Sequence, residues 1–469
     1  MATQINIKTE LERILPKKNI LSSLEERYVY AQDGTNGIDS CIIPESIVFP
    51  ETVEQVQEVM KFAHKNNIPV VARGAGTNLV GACIPKSGGI IICFTKMDKI
   101  IDINKTNMIA RVQAGAIIGD IQKKVEEVGL FFPPDPSNLK VSTIGGAIAQ
   151  SAGGPKTFKY GTTKDYILGL KVVLADGTLI NTGVNTIKNA TGYHLEQLFI
   201  GSEGTLGIVV EATLKLIPKP ETTGVLMGYF DDMEDATNSV TNMIDANIYP
   251  STIDFMDKNT INVVEKFYNI GLLTNKNSVL IIEVDGFECS MDYQITKVKS
   301  ILENSGAVNI IVSRTKEEQE KIWMARRASF GAVTKLAPDV VTNDVIVPRE
   351  NISNLVKGIN DICQKYNLLA CTVGHIGDGN IHPQIALDLN NPDEAKNYET
   401  AKNEIYELTY KLGGTLSAEH GIGLEKKAFF KKIMSKESLE CMIRMKKMFD
   451  PKNILNPDKI FDIDKTHLK

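Results

Sequence analysis

The sequence has no apolar run of the roughly 20 residues that a membrane-spanning helix requires. Its longest apolar runs, such as residues 89–94 and 207–210, are far shorter. The first ten residues alternate polar and apolar side chains and lack the apolar core of a signal peptide. We therefore expect neither a membrane span nor export.

Closely spaced cysteines are missing as well. No CxxC pair occurs, and two of the seven cysteines lie in strand-like runs. This pattern is typical of a reduced cytoplasmic protein with buried thiols, and it excludes an iron–sulfur cluster held by neighbouring thiolates. The cysteines are Cys41, Cys83, Cys93, Cys289, Cys363, Cys371 and Cys441.

An excess of positive charge is also lacking. The chain has 57 acidic and 52 basic side chains, which gives a formal net charge of −5. Such a chain has no long-range attraction to phosphate backbones, so nucleic-acid binding is disfavoured. The length of 469 residues and the apolar content of 43% predict a globular protein with several domains, and no solenoid repeat or low-complexity tract is present.

Helical and strand-like patterns alternate along the chain. Apolar residues at helical spacing predict helices near residues 51–66, 117–128 and 235–246, and a basic helix that ends at Phe449. Short apolar runs predict strands near residues 69–72, 89–94, 109–113, 168–174, 208–217 and 279–284. The prolines Pro218 and Pro220 end one of these strands, and we place a domain boundary there.

Glycine-rich loops recur through the first half. Residues 73–81 read Arg-Gly-Ala-Gly-Thr-Asn-Leu-Val-Gly after a predicted strand, where glycines let backbone N–H groups approach a phosphate. Leu79 stands where a Rossmann fingerprint needs glycine, so a nicotinamide-binding Rossmann domain is not supported. One such loop is often an ordinary turn. Four more loops, at 133–137, 143–146, 152–154 and 201–207, favour a long polar ligand such as FAD.

Seven motifs, four in these loops and three in the second half of the chain, occur in an order that is typical of one protein family. From about Pro44 to Phe461 it resembles the FAD-linked dehydrogenases of the vanillyl-alcohol oxidase and p-cresol methylhydroxylase type. Within that type it is similar to the branch of D-lactate, glycolate and D-2-hydroxyglutarate dehydrogenases. The motifs are ARGAGTNL (72–79), PDPS (134–137), TIGG (143–146), GSEGTLGI (201–208), GHIGDGNIH (374–382), SAEHGIG (417–423) and FDPKNILNP (449–457).

The resemblance implies an α+β fold in three segments. Residues 1–220 would form a two-part FAD-binding domain of the p-cresol methylhydroxylase type, and residues 221–420 an α+β cap domain with an antiparallel sheet that carries the substrate. Residues 421–469 would be a helical segment that returns to the FAD domain.

Non-covalent FAD is expected, because no histidine lies between Lys65 and Tyr193 and covalent relatives use one in the first loop. The loops and the resemblance predict that FAD contacts Arg73, Gly74, Ala75, Gly76, Thr77, Asn78, Pro136, Ser137, Thr143, Gly145, Gly146, Gly153, Gly204, Thr205, Gly207 and Ile208.

Three of the six histidines lie in two glycine-rich segments of the last hundred residues. If Asp378 and Gly379 form the two-residue turn of a hairpin, His375 pairs directly with His382 on one face. Two imidazoles so placed can share one divalent ion, although a pair of hydrogen-bonded histidines is the simpler alternative. Glu419 is the candidate for a third ligand.

The resemblance assigns roles to these side chains. In the family the two histidines and the glutamate bind a metal, which implies one divalent ion, zinc, iron or manganese, at His375, His382 and Glu419. His420 would then be the base that takes the hydroxyl proton of a 2-hydroxy acid at neutral pH. The cation would stabilise the developing alkoxide, and FAD would accept the hydride.

An arginine is expected to bind the substrate carboxylate, because guanidinium forms bidentate pairs with carboxylates. Arg326 is the first candidate, since the family's arginine falls at that offset after a tryptophan, here Trp323. Arg327 is the second. Both could instead lie on a solvated helix face. Thr342 and Gln384 stand where the 2-hydroxyglutarate branch carries a lysine and an asparagine, so a short monocarboxylic acid is favoured, lactate before glycolate.

The sequence predicts that electrons leave to another molecule, because the chain has no cluster-binding cysteine run, haem motif or membrane helix. An electron-transfer flavoprotein or another redox subunit is the expected partner, and a membrane quinone or oxygen stays possible. A D-2-hydroxyglutarate dehydrogenase stays an alternative within the same branch, and two functions of other classes remain open. One is a non-catalytic flavin subunit of a redox complex, and the other is an oxidase of phenols or sugars that needs no metal.

Overall fold

The computed structural model describes residues 6–38 and 42–463, which form two compact units. The chain enters the second unit at Pro220, where the sequence predicts a boundary, and it leaves that unit at Ala418. One short segment, Gly154–Gly161, belongs to the second unit although the sequence prediction assigned it to the first domain. The first unit holds the described residues of Met1–Gly153, Thr162–Lys219 and Glu419–Lys469, and the second holds Gly154–Gly161 and Pro220–Ala418.

The structure covers only part of the residues on which two expectations depend, namely the absence of a membrane span or export signal and the presence of reduced, buried cysteines. Within residues 6–38 and 42–463, no helix combines the length and the apolar content needed to cross a bilayer. Residues 1–5, which belong to the segment examined for an export signal, lie outside the described residues. Cys41 lies outside them too. The six described cysteines are free, and Cys93, Cys363 and Cys371 are buried as expected, whereas Cys289 and Cys441 are exposed.

Nineteen strands are formed by the described residues. They are β1 (Ile20–Leu21), β2 (Ser46–Val48), β3 (Val70–Arg73), β4 (Ile90–Cys93), β5 (Ile100–Asn104), β6 (Ile109–Gln113), β7 (Leu130–Phe131), β8 (Ile167–Val173), β9 (Leu179–Gly183), β10 (Ile208–Lys215), β11 (Ile217–Pro218), β12 (Thr222–Phe230), β13 (Thr252–Asp257), β14 (Ser278–Gly286), β15 (Val308–Ser313), β16 (Asp339–Thr342), β17 (Val345–Ile346), β18 (Leu369–His375) and β19 (Asn380–Leu387).

Fifteen α-helices are present in the same part of the chain. They are α1 (Ile7–Ile14), α2 (Leu24–Tyr30), α3 (Val53–Asn66), α4 (Ile118–Glu126), α5 (Ile144–Gln150), α6 (Thr157–Tyr160), α7 (Glu196–Phe199), α8 (Met233–Asp245), α9 (Lys258–Tyr268), α10 (Glu288–Asn304), α11 (Lys316–Val333), α12 (Ile352–Lys365), α13 (Pro392–Lys411), α14 (Lys427–Ile433) and α15 (Lys436–Phe449).

The elements predicted from periodicity are confirmed with small shifts at their ends. Helix α3 begins one residue after Thr52, whose hydroxyl accepts a hydrogen bond from the N–H of Gln55 at 3.3 Å. It ends before Asn67, which adopts a left-handed conformation with φ of 53°. Its apolar face is buried in the core of the first unit.

The first unit is built on two main sheets. A four-stranded sheet has the order β1-β2-β4-β3, in which β2, β4 and β3 are parallel. A five-stranded antiparallel sheet has the order β5-β6-β10-β8-β9. The segment after α15 returns to β3, where Val70 donates its N–H to Ile454 at 2.7 Å and accepts from Asn456 at 2.8 Å. The C-terminal segment is therefore part of this unit, beside the first glycine-rich loop.

The second unit is built on one antiparallel sheet with the strand order β15-β12-β14-β13-β18-β19-β16, and β17 also pairs with β19. Side chains alternate between its faces, so residues of neighbouring strands that pair in register share a face. On one face, apolar residues of β12, β14, β13 and β18 pack against α9 and α11 in a single core. The polar residues of the candidate site lie on this same face, toward β19.

Candidate active site

The two histidines of the second unit lie on adjacent strands of the sheet. Strand β18 ends at His375, and β19 carries His382. Their ring centroids are 5.3 Å apart with an interplanar angle of 79°, and their side chains are 3% and 7% exposed. The expectation that both face the same side of the hairpin is confirmed.

The predicted register of this hairpin is wrong. His375 pairs with Asn380, and His382 pairs with Val373, so the histidines are diagonal neighbours. The connection is a loop of four residues, 376–379, and not the predicted two-residue turn. A type I′ turn requires positive φ at both central residues. Gly379 has φ of 94°, whereas Asp378 does not have a positive φ.

The loop between the two histidine strands is held by neighbouring backbone. The carbonyl of Gly377 accepts a hydrogen bond from Nε of Arg349 at 2.6 Å, and the carbonyl of Gly379 accepts one from the N–H of Val347 at 3.2 Å. A Cβ atom at Gly379 would collide with the carbonyl oxygen of Val347. These contacts fix the end of the hairpin and therefore the positions of both imidazoles.

A buried carboxylate on β13 joins His375 to an arginine. Asp254 pairs with His375 in the sheet register, and its Oδ1 lies 2.6 Å from Nδ1 of that histidine. Its Oδ2 accepts a hydrogen bond from Nε of Arg326 at 2.8 Å. Burial alone would raise the pKa of Asp254, but the charges of His375 and Arg326 and their hydrogen bonds hold this pKa below its usual value.

The two candidate arginines have different surroundings. Both lie on α11, but the side chain of Arg326 is 15% exposed and lies against the sheet face through Asp254. The side chain of Arg327 is 57% exposed and pairs with Glu320 at 2.5 Å. Of the two, only Arg326 is therefore brought next to His375.

A second buried carboxylate, Asp344, lies beside His382. Its Oδ1 is 3.8 Å from Nδ1 of His382 and accepts a hydrogen bond from Asn380 at 2.8 Å. Its Oδ2 accepts hydrogen bonds from the hydroxyl of Ser417 at 2.6 Å and from the N–H of Ala418 at 3.0 Å. Asp344 thus anchors the last two residues of the second unit, directly before Glu419.

The first unit contains the glycine-rich loops. The loop after β3 lies against the start of α5, where a Cβ at Gly74 would collide with the hydroxyl oxygen of Thr143. Gly76 has φ of 72°, and no atom of the described chain accepts a hydrogen bond from the N–H groups of Ala75, Gly76 and Thr77. A cluster of such N–H groups is the kind of backbone that binds phosphate, so the loop fits the pyrophosphate of FAD.

Two polar side chains of this loop serve the protein itself. The guanidinium of Arg73 donates to the carbonyl of Gln32 at 2.6 Å and lies over the ring of Tyr30 at 5.5 Å. The amide of Asn78 accepts hydrogen bonds from two backbone N–H groups of its own loop and donates one to the carbonyl of His420 at 3.2 Å. Asn78 therefore links the first glycine-rich loop to the SAEHGIG segment.

Glu203 attaches that segment through two hydrogen bonds. Its two carboxylate oxygens accept hydrogen bonds from the N–H of Ile422 at 2.7 Å and from that of Gly423 at 2.9 Å. Burial raises the pKa of Glu203 to about 7, and the two N–H bonds and the nearby lysines oppose the rise. His420, two residues before Ile422, is thus fixed to the glycine-rich loops of its own unit, with its Nε2 4.0 Å from Oε1 of Glu419.

The remaining predicted FAD residues all lie in the first unit. Thr143 caps α5 by accepting a hydrogen bond from Gly146, and the hydroxyl of Thr205 donates to the carbonyl of Ser202 at 2.7 Å. A Cβ at Gly207 would collide with Val172, so this glycine serves packing. The others in this group are Pro136, Ser137, Gly145, Gly153, Gly204 and Ile208, the first residue of β10.

Three carboxylates of the site were missed by sequence reasoning. Asp254 lies in the buried strand β13 and Asp344 in the buried connection between β16 and β17, and a buried charge is a signal for a functional or paired group. Glu203 lies in the GSEGTLGI motif, which was expected to hold FAD, but its bonds to residues more than 200 positions away were not predicted. No local pattern indicates which groups these side chains bind.

Comparison with known protein families gives two matches. Residues 44–183 match the model of an FAD binding domain, and residues 219–460 match the C-terminal domain of FAD linked oxidases. The second match covers more than half of the chain. Together they account for most of both units.

Curated relatives extend over nearly the whole chain. The glycolate oxidase subunit GlcD of Bacillus subtilis is 41% identical over 98% of this chain and 97% of its own length. A D-lactate dehydrogenase of Archaeoglobus fulgidus is 34% identical over 88% of this chain and 90% of its own length.

Among solved structures, p-cresol methylhydroxylase with substrate bound superimposes with a TM-score of 0.82 and 19% identity, and the match covers 97% of this chain and 96% of that one. At this identity the likeness concerns the fold alone. It agrees with the predicted α+β architecture of an FAD-binding domain and a second domain.

Proposed function

Because the chain belongs to the family of FAD-linked oxidases, we propose that it is a dehydrogenase that oxidises a small D-2-hydroxy acid to the 2-oxo acid. D-lactate is the favoured substrate and glycolate is the second. Oxidation of a 2-hydroxy acid by an FAD enzyme agrees with the names of its relatives, and the roles of individual residues below are proposals.

The observation that carries this proposal is the arrangement of His375 and His382 on one sheet face, with Arg326 of α11 held against that face by Asp254. An α-hydroxy carboxylate has two polar groups on neighbouring carbons, and it needs a cation for the carboxylate and a polarising group for the hydroxyl oxygen. Arg326 is suited to the carboxylate. The two buried imidazoles beside it are suited to a divalent cation.

We propose that His375, His382 and Glu419 bind the cation. The donor set fits such an ion, because two buried imidazoles face one side and Glu419 follows the residues that Asp344 anchors. When bound, the ion would supply a Lewis acid that stabilises developing negative charge on the substrate oxygen. Zinc, iron and manganese are all compatible with these ligands.

His420 is proposed as the base that accepts the hydroxyl proton of the substrate. Its backbone is held by Asn78, and the residues after it are held by Glu203, so it belongs to the same unit as the glycine-rich loops. FAD, when bound to those loops, would supply the two-electron acceptor. Fixing the base to the cofactor unit keeps the two reaction partners of the substrate in one rigid frame.

The preference for a short acid rests on Thr342 and Gln384. These two residues pair in register on the same face as His382, two residues along β19, and neither carries a charge. A second substrate carboxylate would need a cation at that position. The similarity to a glycolate oxidase subunit favours glycolate as the second candidate.

We further propose that the reduced flavin passes its electrons to a separate redox protein, such as an electron-transfer flavoprotein or a companion subunit. Support comes from the sequence, which contains no cysteine run or haem motif of a second redox centre. A cytoplasmic location stays a prediction from the cysteine pattern.

Anaerobic mixing with four acids tests the proposal. The metal-replete protein is mixed with D-lactate, L-lactate, glycolate and D-2-hydroxyglutarate while the flavin absorbance is recorded. We expect rapid bleaching by D-lactate, and loss of bleaching after chelation or in the variant His420→Ala. A yellow protein that none of the acids reduces would contradict the proposal and favour a non-catalytic flavin subunit. Bleaching that survives chelation would contradict the metal.

A further inference from the structure

One carboxylate of the second unit contacts two groups with different proposed tasks. Oδ1 of Asp254 lies 2.6 Å from Nδ1 of His375, and Oδ2 accepts from Nε of Arg326 at 2.8 Å. The aspartate is 1% exposed, so both contacts are shielded from water. A buried carboxylate with each oxygen on a different partner holds both partners in a fixed relation.

We propose that Asp254 is a positioning residue that sets the metal-binding nitrogen of His375 and the carboxylate-binding edge of Arg326 at the same time. This inference rests on the proposed function and adds to it a residue that touches neither substrate nor metal. The bond to Nδ1 makes Nε2 of His375 the ligand atom, because each imidazole nitrogen takes one partner. The bond to Nε of Arg326 fixes the direction of its terminal nitrogens.

A second hydrogen bond, from Nη1 of Arg326, also fixes the guanidinium. Nη1 of Arg326 lies 3.3 Å from the hydroxyl of Ser329, one turn along α11, and this serine is buried. The guanidinium plane is thus held at two points, at Nε and at Nη1. A guanidinium fixed in this way loses little conformational freedom when it binds a carboxylate.

The variant Asp254→Asn tests whether Asp254 positions both partners or only fills space in the core. Asp254 accepts from two donors, whereas an asparagine of the same shape has one oxygen, and its amide nitrogen would face a second donor. The isosteric change to asparagine must therefore break the hydrogen bond to either His375 or Arg326, and it removes the negative charge that both of them face. A shared anchor predicts that binding of the metal and binding of the substrate deteriorate together.

The same strand offers a matched control. Asp257 is also buried on β13, but its carboxylate accepts from Thr260 and from the N–H of Thr372 and contacts neither His375 nor Arg326. Asp257→Asn should alter stability alone. Arg326→Ala is the second control, since it should raise KM and leave the affinity for metal within threefold.

The experiment measures the dissociation constant of Mn²⁺ or Zn²⁺ by competition with a chelating dye, and kcat and KM with D-lactate, for the wild type and these variants. For Asp254→Asn we expect an increase of about 10- to 100-fold in the metal dissociation constant, together with a KM raised at least about tenfold. Asp254→Glu keeps the charge with displaced oxygens, and we expect intermediate values. It also provides the test if the asparagine variant does not fold.

The outcomes separate this inference from the proposed function. A wild-type protein that binds no metal would overturn the proposed metal site and this inference with it. A metal-binding, active wild type whose Asp254→Asn variant keeps either the metal affinity or KM within threefold would overturn the shared anchor alone. Equal losses in Asp257→Asn would also overturn it, because they would indicate a general loss of structure.

Discussion

The attachment of the SAEHGIG segment gives a prediction with a definite magnitude. Glu203 is buried, and its pKa is raised from 4.5 to about 7. A group whose folded-state pKa lies above the unfolded value binds its proton more tightly in the folded protein. Its contribution to stability is therefore complete below pH 4.5 and is lost as the pH rises to about 7.

The change in pKa corresponds to about 3 kcal/mol in the free energy of unfolding. Glutamine has the shape of the protonated glutamate and cannot ionise. The variant Glu203→Gln should therefore lack this part of the pH dependence. The free energy of unfolding of the wild type, relative to the variant, is expected to fall by up to about 3 kcal/mol between pH 4.5 and 7, and to be constant above about pH 8.

Urea unfolding at several pH values, followed by flavin fluorescence and by circular dichroism, measures this difference. Activity at pH 8 gives a second measure, because a glutamine can accept from only one of the N–H groups of Ile422 and Gly423 and the backbone next to His420 should shift. Parallel stability curves for both proteins between pH 4.5 and 7 would refute the reasoning. A free energy of unfolding of the wild type that rises relative to that of the variant over this pH range would also refute it.

Three further changes have expected outcomes. Lys446→Met should lower the free energy of unfolding in urea by about 3–5 kcal/mol, because the buried ammonium pairs with the carboxylate of Asp450 and donates to the carbonyls of Thr205 and Leu455. The control Lys447→Met, at a partly exposed position, should lower it by less than about 0.5 kcal/mol. Arg326→Lys should raise KM about tenfold or more while Arg327→Lys leaves KM unchanged, and equal effects would exclude a selective role. Gly74→Ala should lower the flavin content of the purified protein, read from the ratio of absorbance at 450 and 280 nm, because the added Cβ has no room, and full flavin content would contradict this.

The sequence predicted the elements well where periodicity is strong. Helix α3 and strand β6 were predicted almost to the residue, since burial of one face gives α3 its helical spacing and burial of nearly all of β6 gives a short apolar run. The placement of Gly154–Gly161 was not predictable, because it depends on contacts far along the chain. Lys156 pairs with Glu283, and Tyr160 donates to Asp285 at 2.7 Å. Neither contact leaves a local pattern.

In the candidate site, too, the residues proposed to perform chemistry were predicted, and the residues that hold them in place were not. Chemistry requires particular residue types at short spacing, so His375, His382 and His420 are visible in their glycine-rich segments. A supporting carboxylate needs only to be buried and to reach its partner. Asp254 is 121 residues from His375 in sequence, and the strand pairing of β13 with β18 brings the two together. Such residues become evident only once the sheet order is known.

The predicted register of the hairpin that carries His375 and His382 is wrong, yet the prediction that both histidines lie on one face is correct. The predicted pairing joined His375 to His382, and the observed pairing joins His375 to Asn380, a shift of two residues. Side chains on a strand alternate with a period of two, so a shift of two preserves the face and a shift of one reverses it. The four-residue loop contains two residues more than the predicted turn and thus keeps this parity. An insertion or deletion of one residue between Ile376 and Gly379 should therefore abolish metal binding if it shifts the register of β19, and metal content unchanged in a variant with a shifted register would refute the argument.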